Sequence, residues 1–230
     1  VFALDDYLAC VDNSLDNTVC VVREEDSFAA PEGIVPGRYY LGCDLGYARD
    51  PSEFMVYRDA SPHLVNVLRV RLEGVNYNRQ QAVIEELDRA YCFRRIGLDA
   101  GNNGRAVAHA LMAKGHDWCS RVEAIEFGAT TEVETMPDGR PARRRVKEFM
   151  TELLQRRLSE NTLVLPPDPE REMQYASHTY MVNTAGQIVY AKGDDHIIDA
   201  DRCALFAHYL DTREPLSTSA ISLPMEVILF

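Results

Sequence analysis

GRYYLGCDLGYARD, Gly37–Asp50, decides how the rest of the chain is read. Tyr39, Tyr40, Leu41 and Cys43 form the short apolar run of a buried strand. Asp44 ends that run, and Gly46 lets the backbone turn away. Asp and Gly also suit an ordinary turn, so this stretch alone reads first as a capped strand end. A carboxylate at the end of a central strand, with no base beside it in sequence, commonly holds a cation.

Outward from this stretch the pattern is a meander. Glu53–Arg58 and Leu64–Leu72 read as two more strands, joined by a turn at Asp59–Pro62. Helical spacing of Val83, Ile84, Leu87, Ala90 and Tyr91 predicts a helix over Tyr77–Phe93, with Glu85, Glu86 and Asp88 on its wet side. Arg95–Leu98 is a short strand reaching Asp99, and DAGNNG turns into a helix over Arg105–Lys114, ended by Gly115. Val122–Phe127 is a further strand. Gly128–Pro141, with Pro137, Asp138 and Gly139, reads as a hairpin or mobile loop.

Arg143–Leu158 is predicted as an amphipathic helix whose buried face is Val146, Phe149, Met150, Leu153, Leu154 and Leu158. Arg143, Arg144, Arg145 and Lys147 crowd its start. Thr162–Leu165 is a short strand, Glu170–Tyr175 a helical turn, and His178–Asn183 with Gln187–Ala191 a hairpin. A last helix covers Ile197–Leu210. A meander followed by alternating strands and helices is a mixed α/β pattern.

The 230 residues are 46% apolar, enough for a full core. No apolar run approaches the ~20 residues that span a bilayer, and the first residues lack the basic leader of a secretory signal. Val1–Pro36, closed by Pro31, Gly33 and Pro36, reads as a loosely packed lead-in or the tail of an upstream domain. The start at Val1 suggests a piece of a longer or processed polypeptide. The six cysteines form no CxxC pair, which argues against a zinc site and for buried, reduced thiols. Lys and Arg total 24 against 36 Asp and Glu, a net charge of −12. This counts against broad electrostatic attraction to nucleic acid, and DNA binding would need a local basic patch, a metal or another domain.

Three acidic sites stand out. Asp44 and Asp99 each end a strand, and Asp199 lies in the first turns of the last helix, within GDDHIIDADR. Asp195 and His196 can share a helix face with Asp199. If the two strands are neighbours and the helix crosses their ends, three carboxylates converge. They would raise one another's pKa unless divalent cations stand between them. Carboxylate oxygen is the natural ligand of Mg²⁺ or Mn²⁺, and two ions about 4 Å apart can drive phosphodiester cleavage. The competing readings are turn or helix caps for Asp99, Asp194 and Asp195, a surface or orienting residue for His196, and a solvated helix end for the Arg143–Lys147 run.

GCDLGYARDP, IGLDAGNNG and DDHIIDADRCALF, in that order, resemble the nuclease domain of the large terminase subunit of tailed bacteriophages, over about Arg38–Asp211. The resemblance implies an RNase H-like, RuvC-like α/β fold. Its mixed central sheet has an antiparallel meander first and parallel strands after, flanked by helices. It implies residues 1–36 as a linker after an absent ATPase domain, 37–214 as the nuclease domain and 215–230 as a tail. It also implies metal-dependent cleavage of double-stranded DNA during genome packaging in the host cytoplasm. By motif, Asp44, Asp99 and Asp199 would be metal ligands, with Asp195 a weaker one, and His196 an auxiliary catalytic group. Arg143, Arg144, Arg145 and Lys147 would be weak DNA contacts. The implied partners are the packaging ATPase, the small terminase subunit and the portal. No GxxxxGK[ST] phosphate loop is present. A junction resolvase or transposase-type nuclease uses similar acids. An actin-like phosphotransferase and a non-catalytic docking module remain the other readings.

Overall fold

The computed structural model describes residues 1–17, 19–46, 50–101, 104–135, 141–184, 188–190 and 193–212. The chain opens with α1 (Leu4–Ala9) and β1 (Val19–Arg23). The meander follows as β2 (Arg38–Asp44), β3 (Ser52–Ala60) and β4 (His63–Glu73). Next come α2 (Tyr77–Tyr91), β5 (Arg95–Asp99), α3 (Gly104–Met112), α4 (His116–Arg121) and β6 (Val122–Ile125). A hairpin of β7 (Thr130–Thr135) and β8 (Pro141–Arg145) leads into α5 (Val146–Ser159). The chain continues through β9 (Leu163–Val164), α6 (Pro169–Ser177), a hairpin of β10 (Tyr180–Val182) and β11 (Ile188–Tyr190), and α7 (His196–Thr212).

The central sheet has seven strands in the order β1-β4-β3-β2-β5-β6, with β9 also on β4. The meander pairs are antiparallel. β5 and β6 add to β2 in parallel, each reached through a helix. The expected α/β fold with a mixed sheet and flanking helices is therefore present.

Side chains alternate across a strand, and this sorts β2 and β5 into two faces. Leu41, Cys43, Ile96 and Leu98 pack with Val83, Ile84, Leu87, Val107, Ala108 and Leu111 of α2 and α3. Gly42 and Gly97, direct neighbours in register, lie on the opposite face. That face carries α7 at very short range. A Cβ on Gly42 would stand 2.1 Å from the Ala200 carbonyl oxygen, and one on Gly97 would stand 2.4 Å from that of Cys203. No residue with a side chain fits under the helix at these two points. The outer side of α7 is covered by α5, where Phe149 packs edge-on against Phe206 and Tyr209. α7 is thus buried on nearly every side, which is why its apolar residues show no single stripe.

A buried ionic chain ties the sheet to α7 through α6. Arg69 of β4 donates to Glu53 of β3 at 2.9 and 2.8 Å and to Asp168 at 2.9 Å. Asp168 caps α6 by accepting from the amides of Glu170 and Arg171. Arg171 then reaches Asp201 of α7 at 3.4 Å, and the Tyr57 and Tyr175 hydroxyls donate to the same carboxylate at 2.7 and 2.8 Å. Every charge buried here meets an opposite charge or a hydrogen-bond donor, as burial requires.

Several expectations are corrected. Val1–Pro36 is not a loose lead-in: β1 pairs with β4 in the main sheet, and Tyr7 and Cys10 are buried. Glu170–Tyr175 is part of a full helix. Arg143–Arg145 belong to β8, not to the helix, because the Val146 amide bonds the Ala129 carbonyl and starts α5 only there. Asp88 is not on a wet face but pairs with Arg121 at 2.7 Å. Cys92 is exposed, since it takes the left-handed position (φ 51°) that ends α2. The tail Ser217–Phe230 and the turn Pro137–Gly139 lie outside the described residues.

Gly42→Ala is expected to force α7 off the sheet and destabilise the protein by about 3 kcal/mol, the upper end of overpacking costs. Urea unfolding checks this, and an unchanged midpoint would contradict the close packing.

Candidate active site

Asp44 and Asp99 are the last residues of β2 and β5, each two positions beyond its glycine. Alternation puts them on the α7 face, one step past the last register pair, Cys43 with Leu98. Beyond Asp44 the Gly46 carbonyl accepts from Gln80 Nε2 at 2.9 Å, and its amide donates to Ser52 Oγ at 3.0 Å. These bonds fix the turn that leaves the carboxylate at the strand end. α7 crosses the same ends and delivers Asp199 from its first turn. Its start is set by Gln174 of α6, which accepts from the Ile197 amide at 3.0 Å, and by the Asp195 carbonyl, which accepts from the Asp199 amide at 2.9 Å.

The three acids are close enough to feel one another. Burial raises Asp44 to about 7, against the pull of its hydrogen bond to His196, and the charges of Asp199 and Asp99 add to the rise. Burial also raises Asp99, although the Gly101 amide donates to it at 2.8 Å. Burial and the Asp199 charge raise Asp195. Burial alone would raise Asp199 too, but Arg202 and Lys147 outweigh it and hold it below its usual range.

Three internal cations answer these charges. His196 Nδ1 donates to Asp44 Oδ2 at 2.6 Å, and this bond raises the imidazole to about 9. Lys147 Nζ donates to Asp199 Oδ2 at 2.9 Å and stands 3.6 Å from Asp195 Oδ2. The ammonium lies over the rings of Phe127 and Tyr190. Arg202, one helical turn past Asp199, takes the other carboxylate oxygen, Oδ1. Its Nη2 donates at 2.9 Å to Nε2 of His178, which burial and the Arg202 charge hold neutral, down to about 4.

Clustered, mutually repelling carboxylate oxygens are the donor set that a hard divalent cation takes, so the residues fit such an ion chemically. Among the described residues, however, no three acidic, histidine or cysteine side chains are already gathered closely enough to hold one. Each acid already has partners of its own. Asp44 faces His196, Asp99 faces the Gly101 amide, and Asp199 faces Lys147 and Arg202. A cavity of about 110 Å³ lies to one side, between α5 and the β10–β11 hairpin. It shares Tyr190 with the surroundings of Lys147 and contains none of the acids, so the chemistry is not placed there.

No protein-family model matches the chain, and no curated protein matches it by sequence. Solved structures do match. The large terminase nuclease from thermophilic phage G20c aligns with a TM-score of 0.58 at 18% identity, over 81% of this chain and 92% of that one. The large terminase nuclease domain of Thermus phage P74-26 gives 0.57 at 18%, over 81% and 89%. The large terminase of thermophilic bacteriophage D6E gives 0.52 at 16%, over 80% of this chain and 41% of that one. The fold is that of a large terminase nuclease. Asp44, Asp99, Asp195, Asp199 and His196 are near enough for their charges to act on one another.

The basic run behaves differently. Arg143 pairs with Glu132 at 3.2 Å, Arg144 with Glu152, and Arg145 with Glu148 at 3.9 Å. Lys147 sits inside the acid cluster, not on an open basic patch. Sequence reasoning missed Arg202 and His178. For Arg202 a signal existed, since Asp199 and Arg202 are three apart on one helix. His178 and Lys147 reach the site from other elements, and no local pattern announces them.

In metal-free buffer the site has a pH signature. His196 is raised from 6.5 to about 9, so its stabilisation is complete below pH 6.5 and lost as pH rises through 9. Asp44, raised from 3.8 to about 7, acts in the same direction, complete below pH 3.8 and lost through 7. His178 acts oppositely, but only below pH 6.5. The unfolding midpoint in EDTA is therefore expected to fall between pH 6.5 and 9, and His196→Gln should remove most of that fall. An equal slope in the variant would contradict the pairing.

Proposed function

We propose that this chain is a metal-dependent endonuclease that cuts double-stranded DNA with little sequence preference. It would act as the nuclease part of a large terminase subunit during viral genome packaging, in the host cytoplasm. One observation supports this reading: two strand ends and one helix carry Asp44, Asp99 and Asp199 close enough for their charges to act on one another. Support comes from the shared fold, whose solved examples include the phage G20c nuclease with bound magnesium, cobalt and zinc.

Asp44, Asp99 and Asp199 would hold Mg²⁺ or Mn²⁺, two ions when DNA is bound, with Asp195 as a weaker donor. A bound divalent ion supplies a water of lowered pKa and a Lewis acid for the phosphate and the leaving oxygen. The chain's own groups do the rest. His196 orients the Asp44 carboxylate. Arg202, itself held by His178, fixes one oxygen of Asp199. Arg143, Arg144 and Arg145 of β8 would be weak DNA contacts, made by exchanging Glu132, Glu152 and Glu148 for backbone phosphates.

The net charge of −12 opposes unaided binding to a polyanion. DNA is therefore held jointly with a packaging ATPase domain, the small terminase subunit and the portal. The large terminase of phage D6E, which aligns over the same fold, has been solved with ATP-gamma-S. No helix among the described residues is long and apolar enough to cross a membrane.

Supercoiled plasmid is expected to be nicked and linearised with Mg²⁺ or Mn²⁺, and not in EDTA. Asp44→Ala, Asp99→Ala and Asp199→Ala should each lose on the order of a hundredfold or more, the scale of removing a metal's transition-state stabilisation. Full activity in all three variants would remove the proposal. Cutting of four-way junctions but not linear duplex would instead support a resolvase.

A further inference from the structure

Resting on the metal-dependent reading above, we infer that Lys147 is an internal counter-ion that competes with the divalent cation for Asp199 and so sets the metal affinity of the site. The two cations on Asp199 are not equivalent. Arg202 is fully buried, on the same helix, and its guanidinium is also bound to His178 and lies over Tyr190. It is a fixed part of the wall. Lys147 comes from a different element, the first turn of α5, and its side chain is 22% exposed. It can leave by rotating its own stem, with no buried charge dragged along.

The oxygen at stake is Oδ2 of Asp199. Arg202 takes Oδ1, so Oδ2 is the oxygen left for another partner, and the ammonium sits on it at 2.9 Å. The same ammonium is 3.6 Å from Asp195, so it spans the two acids at the start of α7. An ammonium at hydrogen-bond distance and a divalent ion at coordination distance compete for these lone pairs, and their like charges repel at such range. Phe127 and Tyr190 present their rings to the ammonium, which holds it over the acids when no metal is present. The internal cations thus occupy carboxylate oxygens that a metal ion would need.

The test is Mn²⁺ titration by calorimetry of the wild-type chain, Lys147→Met, Lys147→Gln, Asp199→Asn and the Lys147→Met/Asp199→Asn double variant. Lys147→Met and Lys147→Gln are expected to bind Mn²⁺ on the order of tenfold more tightly than wild type, given the size of like-charge repulsion at such range. That gain should vanish when Asp199 is Asn. Without metal, Lys147→Met should melt below wild type, and Mn²⁺ should raise its midpoint by more than it raises the wild type's. A purely structural lysine would give weaker or equal binding in both Lys147 variants. That result, with wild type binding Mn²⁺, overturns the inference alone. Absence of Mn²⁺ binding in every protein overturns the metal-dependent reading itself, and the inference with it.

Discussion

The closeness of α7 to the sheet is the constraint on which the rest of the molecule depends. Gly42 and Gly97 sit side by side in β2 and β5, and the carbonyl oxygens of Ala200 and Cys203 fill the space that side chains would need. With the helix lowered this far, its first turn comes level with the two strand ends, and Asp199 joins Asp44 and Asp99. The ionic chain from Arg69 through Asp168, Arg171 and Asp201 then fixes the helix along its length. Fold and site are consequences of the same contact.

Such a site is electrostatically costly. Carboxylates taken out of water beside one another destabilise the folded state unless protons or cations compensate. This protein compensates with cations of its own: His196 on Asp44, and Lys147 and Arg202 on Asp199. On the proposed reading, a metal ion would enter by exchange with these cations, not by filling an empty cage. Functional sites commonly trade stability for poised charge in this way.

Much of this was legible in the sequence. The meander, the strand ends at Asp44 and Asp99, the buried face of α5 and the acidic start of α7 follow from periodicity and from residues that stop strands. The pairing of β1 with β4 was not legible, because a short mixed strand gains its stability from a partner far along the chain. Nor was the start of α5. Arg143–Arg145 carry no pattern that separates strand from helix, and a single long-range bond from the Val146 amide decides the matter. The pattern Gly-x-Asp occurs in both key strands, as GCD and GLD. Read with the alternation of a strand, it marks the face on which helix and acids meet. Lys147 could not have been placed, since only the packing of α5 against α7 brings it to Asp199.

The central claim is that Asp44, Asp99 and Asp199 form one cation-binding centre. The most direct measurement is anomalous diffraction from a crystal soaked in Mn²⁺. The account predicts peaks bridging these three carboxylates, with Lys147 displaced from Asp199. Peaks confined to other parts of the molecule, with Lys147 still seated on Asp199, would contradict it.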